Sequence, residues 1–188
     1  MLKGAKIRII DALIHLLSTT DIHKITVKKI VETASINRRT FYDHFENKED
    51  LIAYLESKIF LEFKEIFNNT TANTIVDTKN LIDLQVPIRE NIEICNHLKK
   101  YQKYYEHRLN DVEFYNKFSK EFLEIIQRYI KNERVSKYLT EGAIGYLNYW
   151  LSNDCKEPIE LVAIELGELG FQPFMQAHLS KEQISESP

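Results

Sequence analysis

Glycine and proline are scarce in this chain of 188 residues, which has five glycines and four prolines. Both residues interrupt regular secondary structure, so their scarcity favours uninterrupted elements. The alternation of apolar and polar residues that marks a half-buried strand is also rare, whereas apolar residues recur at helical spacing along most of the chain. The sequence therefore predicts an all-α fold of about nine helices.

Long apolar runs are missing too, since none approaches the roughly 20 residues that a membrane-spanning helix needs. Arg8, Asp11 and His15 interrupt the apolar stretch near the N-terminus, which is atypical of a secretory signal peptide. The two cysteines, Cys95 and Cys155, lie far apart, so we expect no disulfide framework. These observations predict a cytoplasmic protein without a membrane partner.

Motifs of catalysis and cofactor binding are likewise missing. The chain has no phosphate-binding glycine loop, no nucleophile elbow and no pair of carboxylates at catalytic spacing. The pair Cys95-x-His97 has no second pair at the spacing of zinc ligands. We therefore expect no enzyme activity, no cofactor and no metal site.

Charge is distributed unevenly along the chain, although the net charge of −3 alone argues against a nucleic-acid partner. Residues 1–48 hold nine basic residues (Lys or Arg) and five acidic residues (Asp or Glu). The rest of the chain holds 16 basic and 23 acidic residues. A mildly basic front part on an acidic body is typical of a small DNA-reading module attached to a different domain. A solvated helix face could produce the same modest asymmetry.

The front part, residues 1–50, is predicted to be one domain of three short helices. Apolar spacing indicates a helix over 4–18, and Thr26 is a suitable N-cap for a second helix. After the turn Ser35-Ile36 a third helix spans about 37–45. Asn47 then caps a fourth helix, which leads into the second domain, residues 51–188, and extends to about residue 67.

The third helix has two different faces. Phe41 and Phe45, four residues apart, are expected to face the core. The other positions offer hydrogen-bond donors, a pattern that fits a recognition helix in the major groove of DNA. The alternative for the basic residues of such a helix is an ordinary solvated surface.

The whole stretch resembles the DNA-binding domain of the TetR family of bacterial transcriptional regulators over about residues 5–55. The resemblance is carried by Thr26-Val27, Ile30, Ala34, the run Thr40–Phe45 and the run Lys48–Leu51. The family usually has Gly in the turn, where this chain has Ser35, and often Gly before the Thr, where it has Arg39. Arg39 is therefore expected to alter which bases are read.

The resemblance implies which residues touch DNA, and side-chain chemistry adds two more. The positions that match DNA-contacting positions of the family are Thr26, Asn37, Thr40, Tyr42, His44 and Lys48. We add Arg38 and Arg39, because Arg is the usual reader of guanine. We expect one of these arginines to discriminate bases, and Tyr42, His44 and Lys48 to hold the phosphate backbone.

The C-terminal domain is predicted to be helical throughout. Polar residues at 68–80 indicate a loop, and residues 81–107 one long or two broken helices. Further helices are predicted at about 114–129 and 134–152, and Pro158 and Gly170 bound the last one. The tail from Ser180 is polar.

The resemblance implies a homodimer whose interface uses the last two helices, 134–152 and 158–170. Small residues on the first of them would allow close approach, and apolar residues cover more than one face of the second. The alternative is that the last helix is simply buried in its own subunit. The residues expected at the interface are Gly142, Ala143, Gly145, Ile159, Val162 and Leu166.

The C-terminal domain is expected to sense an effector, since a ligand pocket is usual in this family. Aromatic residues supply candidates for its wall, although each could equally be plain core. These candidates are Tyr101, Tyr104, Tyr105, His107, Phe118, Phe122, Tyr146 and Trp150. Two segments, NIEICNHLKKYQKYYEHRLND and EGAIGYLNYWL, are weakly similar to a subgroup that includes regulators of dihydroxyacetone kinase operons, some of which work with a protein partner.

The resulting expectation is a TetR-type repressor that binds a palindromic operator in double-stranded DNA as a dimer and responds to an unknown effector. The first alternative is a DNA-bound regulator or activator whose C-terminal domain docks a protein instead of a small ligand. The second is a helical interaction protein that does not bind DNA. The sequence leaves the operator, the effector and the target genes open.

Overall fold

The computed structural model of the protein describes residues 4–68 and 87–170, and over these residues it confirms the all-α prediction. The N-terminal part contains α1 (Ala5–Leu17), a 3-10 helix (Ile22–Lys24), α2 (Val27–Thr33), α3 (Arg38–Tyr42) and α4 (Lys48–Glu65). The C-terminal part contains α5 (Arg89–Lys100), α6 (Gln102–Arg108), α7 (Val112–Tyr129), α8 (Glu133–Ser152) and α9, residues 159–170. Among these helices, none combines the length and the apolar character that crossing a bilayer requires.

Some predicted segments fall outside the described residues. They are most of the loop at 68–80, the start of the helical segment at 81–107, and the tail from Ser180. The described part of 81–107 is two helices rather than one. They meet at Tyr101, whose φ of −113° and ψ of 25° leave the helical region.

Side-chain caps begin α2 and α4, as the sequence predicted, whereas α1 begins at Gly4 without a side-chain cap. The Thr26 hydroxyl accepts from the amide of Lys29 at 3.3 Å at the start of α2. Asn47 caps α4 by accepting from the amide of Asp50 at 2.8 Å. Each cap satisfies an amide that the first turn of a helix leaves unpaired, so these residues set where the helices begin.

The turn between α2 and α3 is held in a left-handed backbone conformation at Ser35, where φ is 52°. The guanidinium of Arg8 on α1 donates to the Ser35 carbonyl at 3.5 Å. Ile36 follows and packs, partly buried, against the core. A residue with a Cβ is disfavoured at such a φ, which explains why Gly is usual at this position in the family that the sequence resembles.

Helix α4 runs through one continuous apolar core, which extends from α1 to α9. Its first half buries Leu51 and Leu55, and its second half buries Ile59, Phe60 and Phe63. Together with the contact between α1 and α6, α4 therefore connects the N-terminal helices to the C-terminal ones.

Aromatic side chains fill the C-terminal core around α4. The ring of Phe63 lies 5.1 Å from that of Phe118 and 5.3 Å from that of Phe122, both on α7. Phe60 lies 5.6 Å from Phe114. Such pairs add about 0.5–1.5 kcal/mol each beyond the area that they bury, so α4 and α7 are firmly joined.

Ionic contacts reinforce the attachment of α4. The carboxylate of Glu56 accepts from Arg108 of α6 at 3.1 Å and from Lys117 of α7 at 2.6 Å. Glu62 accepts from Lys100 of α5 and from the hydroxyl of Tyr101, each at 2.9 Å. Carboxylates with two charge-assisted partners fix the rotation of α4 as well as its position.

His97 on α5 is buried beside this contact, with 8% of its surface exposed. Its Nε2 is 2.9 Å from the hydroxyl of Tyr105. Burial lowers the pKa of His97 to about 4, and although the carboxylate of Glu62 opposes this effect, burial is the larger influence. The folded protein therefore holds a neutral imidazole at this point.

We predict that Ser35→Gly stabilises the protein. The substitution removes a left-handed strain of about 1–2 kcal/mol and adds unfolded-state entropy that costs about 0.5–1 kcal/mol, so the free energy of unfolding should rise by about 0.5–1 kcal/mol. Urea titration followed by circular dichroism measures the change. Ser18→Gly is the control, because Ser18 has an ordinary φ of −71°, and it should destabilise the protein. Equal effects of the two substitutions would contradict this explanation of the turn.

We also predict a loss of stability in mild acid that depends on His97. As the pH falls from 6.5 towards 4, the unfolded chain takes up a proton on this ring and the folded chain does not. The free energy of unfolding should therefore fall, by up to about 3 kcal/mol for this group alone. Urea titrations of wild type and His97→Gln across this range should show a shallower pH dependence in the variant. An unchanged slope in His97→Gln would show that another group is responsible; the exposed His15→Gln serves as the control.

Candidate nucleic-acid interface

Helix α3 is divided into a buried face and an exposed face, as the sequence predicted. Phe41 and Phe45 are 0% and 3% exposed and pack on the core of α1 and α4. On the opposite side Arg38, Arg39 and the 46% exposed Tyr42 point to solvent. The fold thus presents a short, donor-rich helix on the surface of the N-terminal part.

Asn37 and Thr40 hold each other at the start of α3. The side-chain oxygen of Asn37 accepts from the Thr40 amide at 2.8 Å and from the Thr40 hydroxyl at 3.0 Å. Asn37 is therefore the N-cap of the helix, and its side-chain NH₂ group stays available as a donor. A base contact by Asn37 would use that NH₂ group, since its oxygen is already committed to the cap.

The two arginines of α3 differ in how firmly they are held. Arg38 donates to the hydroxyl of Tyr42 at 3.1 Å, and its guanidinium lies 5.6 Å from the centre of that ring. Within the described part of the chain, the Arg39 side chain makes no hydrogen bond or ion pair. Arg38 is therefore pre-oriented along the helix, while Arg39 is free to reach a ligand.

Three other predicted contact residues lie around this helix. His44 is exposed just beyond the end of α3. Lys48 donates to the carbonyl of Ile22 at 3.2 Å, and its side chain is 19% exposed. Thr26 is exposed and caps α2. Lys48 and Thr26 consequently have structural roles that any DNA contact would share.

One exposed cation near this surface was not singled out from the sequence. Lys28 on α2 is 81% exposed at its side chain and lies 4.0 Å from Glu32, a weak surface pair. The signal was present in the excess of basic residues over 1–48. Without the fold, however, nothing distinguished Lys28 from the neighbouring lysines.

The C-terminal helices and Phe67 line a partly open apolar cavity of about 210 Å³. Asn91 is its polar residue, and the Asn91 amide donates to the carbonyl of Ala163 at 3.0 Å. The lining residues that define the cavity are Phe67, Ile94, Phe122, Ile126, Leu147 and Leu166. Such a lining suits an apolar ligand better than a charged one.

The predicted effector-binding residues are not gathered at this cavity. Phe122 is the member of the set that lines it. Packing within the core accounts for four others: Tyr104, Tyr105, Phe118 and Trp150. Tyr101 donates to Glu62, and Tyr146 donates to Glu165 on α9. Burial and this bond to Glu165 raise the pKa of Tyr146.

His107, the last of that set, lies elsewhere. Its ring centre is 6.0 Å from that of His23 in the 3-10 helix of the N-terminal part. The sequence could not associate the two, because 83 residues separate them along the chain.

Exposed residues follow one stripe of α8, the helix predicted to lie at a dimer interface. Gly142 and Gly145 are exposed, and a methyl group at either would meet no atom within 4 Å. Tyr138 and Tyr149, 67% and 63% exposed, lie on the same stripe, since the four positions are spaced by four, three and four. Leu169 of α9 lines a shallow groove with Tyr138 and Gly142 of this stripe, and Leu161 of α9 is also exposed.

The remaining predicted interface residues are less accessible. Val162 is fully buried within its own subunit, because it packs into the core between α9 and the other helices. Three others are half-buried: Ala143, Ile159 and Leu166. On α9, Leu161 and Leu169 are therefore more accessible to a partner subunit than the predicted interface residues Ile159, Val162 and Leu166.

Comparison with known proteins shows a family similarity in the N-terminal part. The model of bacterial regulatory proteins of the tetR family matches residues 9–55. Over 56 residues the chain is 34% identical to the HTH-type dhaKLM operon transcriptional activator DhaS of Lactococcus lactis subsp. lactis (strain IL1403). That match covers 30% of this chain and spans 28% of the length of the activator.

Similarity to solved structures extends over most of the chain and shows a shared fold. The dihydroxyacetone kinase operon activator DhaS has a TM-score of 0.63 at 17% identity, with 89% of this chain and 94% of that one covered. FadR of Bacillus subtilis, solved in complex with stearoyl-CoA, has a TM-score of 0.63 at 20% identity, with 88% and 97% covered. SmeT, the repressor of a Stenotrophomonas maltophilia multidrug efflux pump, has a TM-score of 0.66 at 15% identity, with 89% of each chain covered.

The matched segment 9–55 contains α2, the turn at Ser35 and the exposed helix α3. The donors of α3 thus stand on the second helix of a helix-turn-helix, the arrangement that reads the major groove. Residues 9–55 are thus similar to the bacterial regulatory proteins of the tetR family, and most of the chain shares the fold of the solved structures compared above.

Proposed function

We propose that the protein is a transcriptional regulator that binds a palindromic operator as a homodimer and acts as a repressor. An effector held by the C-terminal helices changes its affinity for DNA. The observation that carries this proposal is the exposed face of α3, where Arg38, Arg39 and Tyr42 project from a helix whose other face is buried. A surface of this kind can donate to base edges and phosphates at the same time.

The two arginines and the other donors of the surface have different roles in this proposal. Arg39, whose side chain is free, reads a base edge, and Arg38 is oriented for a second contact by its bond to Tyr42. His44 and Lys48 hold phosphates on either side. Phosphate contacts set the register of the protein on the duplex, while base contacts select the sequence.

Dimerisation in this proposal uses the exposed stripe of α8 together with α9. Gly142 and Gly145 would let a partner helix approach closely, and Tyr138 and Tyr149 would supply apolar area on each side. A two-fold axis through this face would present two copies of α3. Their separation would be about 34–36 Å if they enter successive major grooves.

The apolar cavity supports a small apolar effector rather than a docked protein. FadR of Bacillus subtilis, which shares the fold, was solved in complex with stearoyl-CoA, so this architecture can accommodate an apolar chain. An effector that binds one conformation better than another shifts their populations, and α4 carries the change to α3. The alternative, an activator, is favoured by the 34% identity of the N-terminal segment to the dhaKLM operon activator.

We predict that Arg39→Ala reduces the preference for the operator over other sequences more than it reduces the affinity for DNA in general. On an operator selected from random duplexes, binding should weaken by about 5- to 150-fold, which corresponds to about 1–3 kcal/mol, while binding to unrelated DNA changes little. Fluorescence anisotropy with the selected duplex and its single-base variants measures both quantities.

The matched control for that prediction is His44→Ala, which removes another exposed side chain of the same surface. It should weaken binding to all duplexes alike, because a phosphate contact carries no sequence information. A change of base preference in His44→Ala, or its preservation in Arg39→Ala, would contradict these roles.

We predict that Gly145→Leu weakens the dimer without unfolding the subunit. The subunit has room for the new side chain, whereas a closely approaching partner helix does not, and overpacking costs about 1–3 kcal/mol. Sedimentation equilibrium should show a dimer dissociation constant raised by at least about fivefold.

The control variant for the dimer is Lys120→Leu, at an exposed position of α7. It adds the same apolar side chain away from α8 and should leave the dimer intact. A wild-type protein that is monomeric at micromolar concentration, or a Gly145→Leu dimer as tight as wild type, would rule out this interface.

A further inference from the structure

Three metal-ligating side chains converge where the N-terminal part meets the C-terminal helices. Asp21 and His23 belong to the segment around the 3-10 helix, and His107 stands near the end of α6. One ligand atom from each lies within 4.8 Å of the others. Neither the DNA surface nor the apolar cavity uses these residues.

We propose that Asp21, His23 and His107 bind a divalent cation of the late first transition series, with Zn²⁺ as the probe, and that the ion bridges the DNA-binding domain to α6. Two imidazoles and one carboxylate are a ligand set that suits Zn²⁺ and its neighbours, whereas Mg²⁺ and Ca²⁺ prefer oxygen. Three protein ligands leave a fourth position for water.

The geometry needs a small adjustment to close around the ion. Bonds of about 2.1 Å at tetrahedral angles place ligand atoms about 3.4 Å apart, so atoms now within 4.8 Å must draw slightly together. Asp21 and His23 are exposed and His107 is half-buried, so their side chains can make this movement. Because the ligands come from two parts of the fold, an ion held by all three would join the 3-10 helix to α6.

Asp21 is already arranged as an anionic ligand. One of its carboxylate oxygens accepts from the His23 amide at 2.7 Å, which orients the group and leaves the second oxygen to coordinate. That hydrogen bond is the main reason why the pKa of Asp21 is lowered, with the neighbouring His107 and His23 assisting. The carboxylate is thus ionised at neutral pH.

The surroundings admit a hydrated cation. Asp21 and His107 line an open cleft between the two parts of the fold, together with Thr20, Lys103 and Glu106. The positive charge of Lys103 is offset by Glu106 at 2.8 Å and by Asp154 at 3.4 Å. The lysine therefore does not leave an unbalanced positive charge beside the cation.

A bridging ion would restrict how the DNA-binding domain moves relative to the C-terminal helices. Its effect on operator affinity rests on the proposed function, but metal binding itself does not. The protein could therefore bind DNA without binding Zn²⁺, or bind Zn²⁺ without binding DNA, and separate measurements distinguish the two cases.

The test is a Zn²⁺ titration of the full-length protein after removal of metals with EDTA, in competition with a fluorescent chelator. We expect one Zn²⁺ per chain, and an affinity at least tenfold weaker in His23→Ala and in His107→Ala. His15→Ala, which removes an exposed histidine of α1, should bind as wild type does. Circular dichroism melts establish that each variant is folded.

Two results would overturn the proposal. The first is wild-type protein that takes up no stoichiometric Zn²⁺ at micromolar concentration, or whose uptake is the same in both variants. The second is loss of binding in His23→Ala but not in His107→Ala, because the ion would then belong to the DNA-binding domain alone and bridge nothing.

Discussion

The structure depends above all on α4 being one uninterrupted helix that contacts both the N-terminal and the C-terminal helices. In its first half the ring of Tyr54 lies 5.6 Å from that of Phe45, and in its second half Phe63 packs with the aromatic side chains of α7. Glu56 and Glu62 bind cationic side chains of α5, α6 and α7, which fixes the rotation of α4 about its axis. In the proposed function, a displacement among the C-terminal helices would move α4 and with it the N-terminal helices that pack on its first half.

The packing of α4 also fixes the position of the exposed face of α3. The donors of α3 are held on a rigid support, because Phe41 and Phe45 are buried and Asn37 caps the helix. In the proposed function, an effector would regulate DNA binding by shifting α4, without contacting α3 itself. The cavity beside Phe122 and the cleft beside His107 both lie on helices that contact this connection, so each offers a way to bias it.

Local chemistry made the N-terminal domain predictable, while the C-terminal sites depended on long-range packing. Caps at Thr26 and Asn47 and the apolar pair Phe41 and Phe45 act within a few residues, so the sequence identified these helices and the two faces of α3. The capping role of Asn37, which was predicted only as a DNA contact, became visible in the structure. In the aromatic-rich helices, by contrast, composition could not distinguish core from cavity. The association of His23 with His107 joins residues 84 positions apart and left no local signal.

We infer that the exposed face of α3 reads DNA, and that the two copies of α3 in a symmetric dimer each read one half-site. The most direct measurement is selection of duplexes by the full-length protein from a random pool, followed by sequencing. We predict enrichment of an inverted repeat whose half-sites are about one helical turn of DNA apart. Recovery of sequences that are no more alike than the starting pool would contradict it.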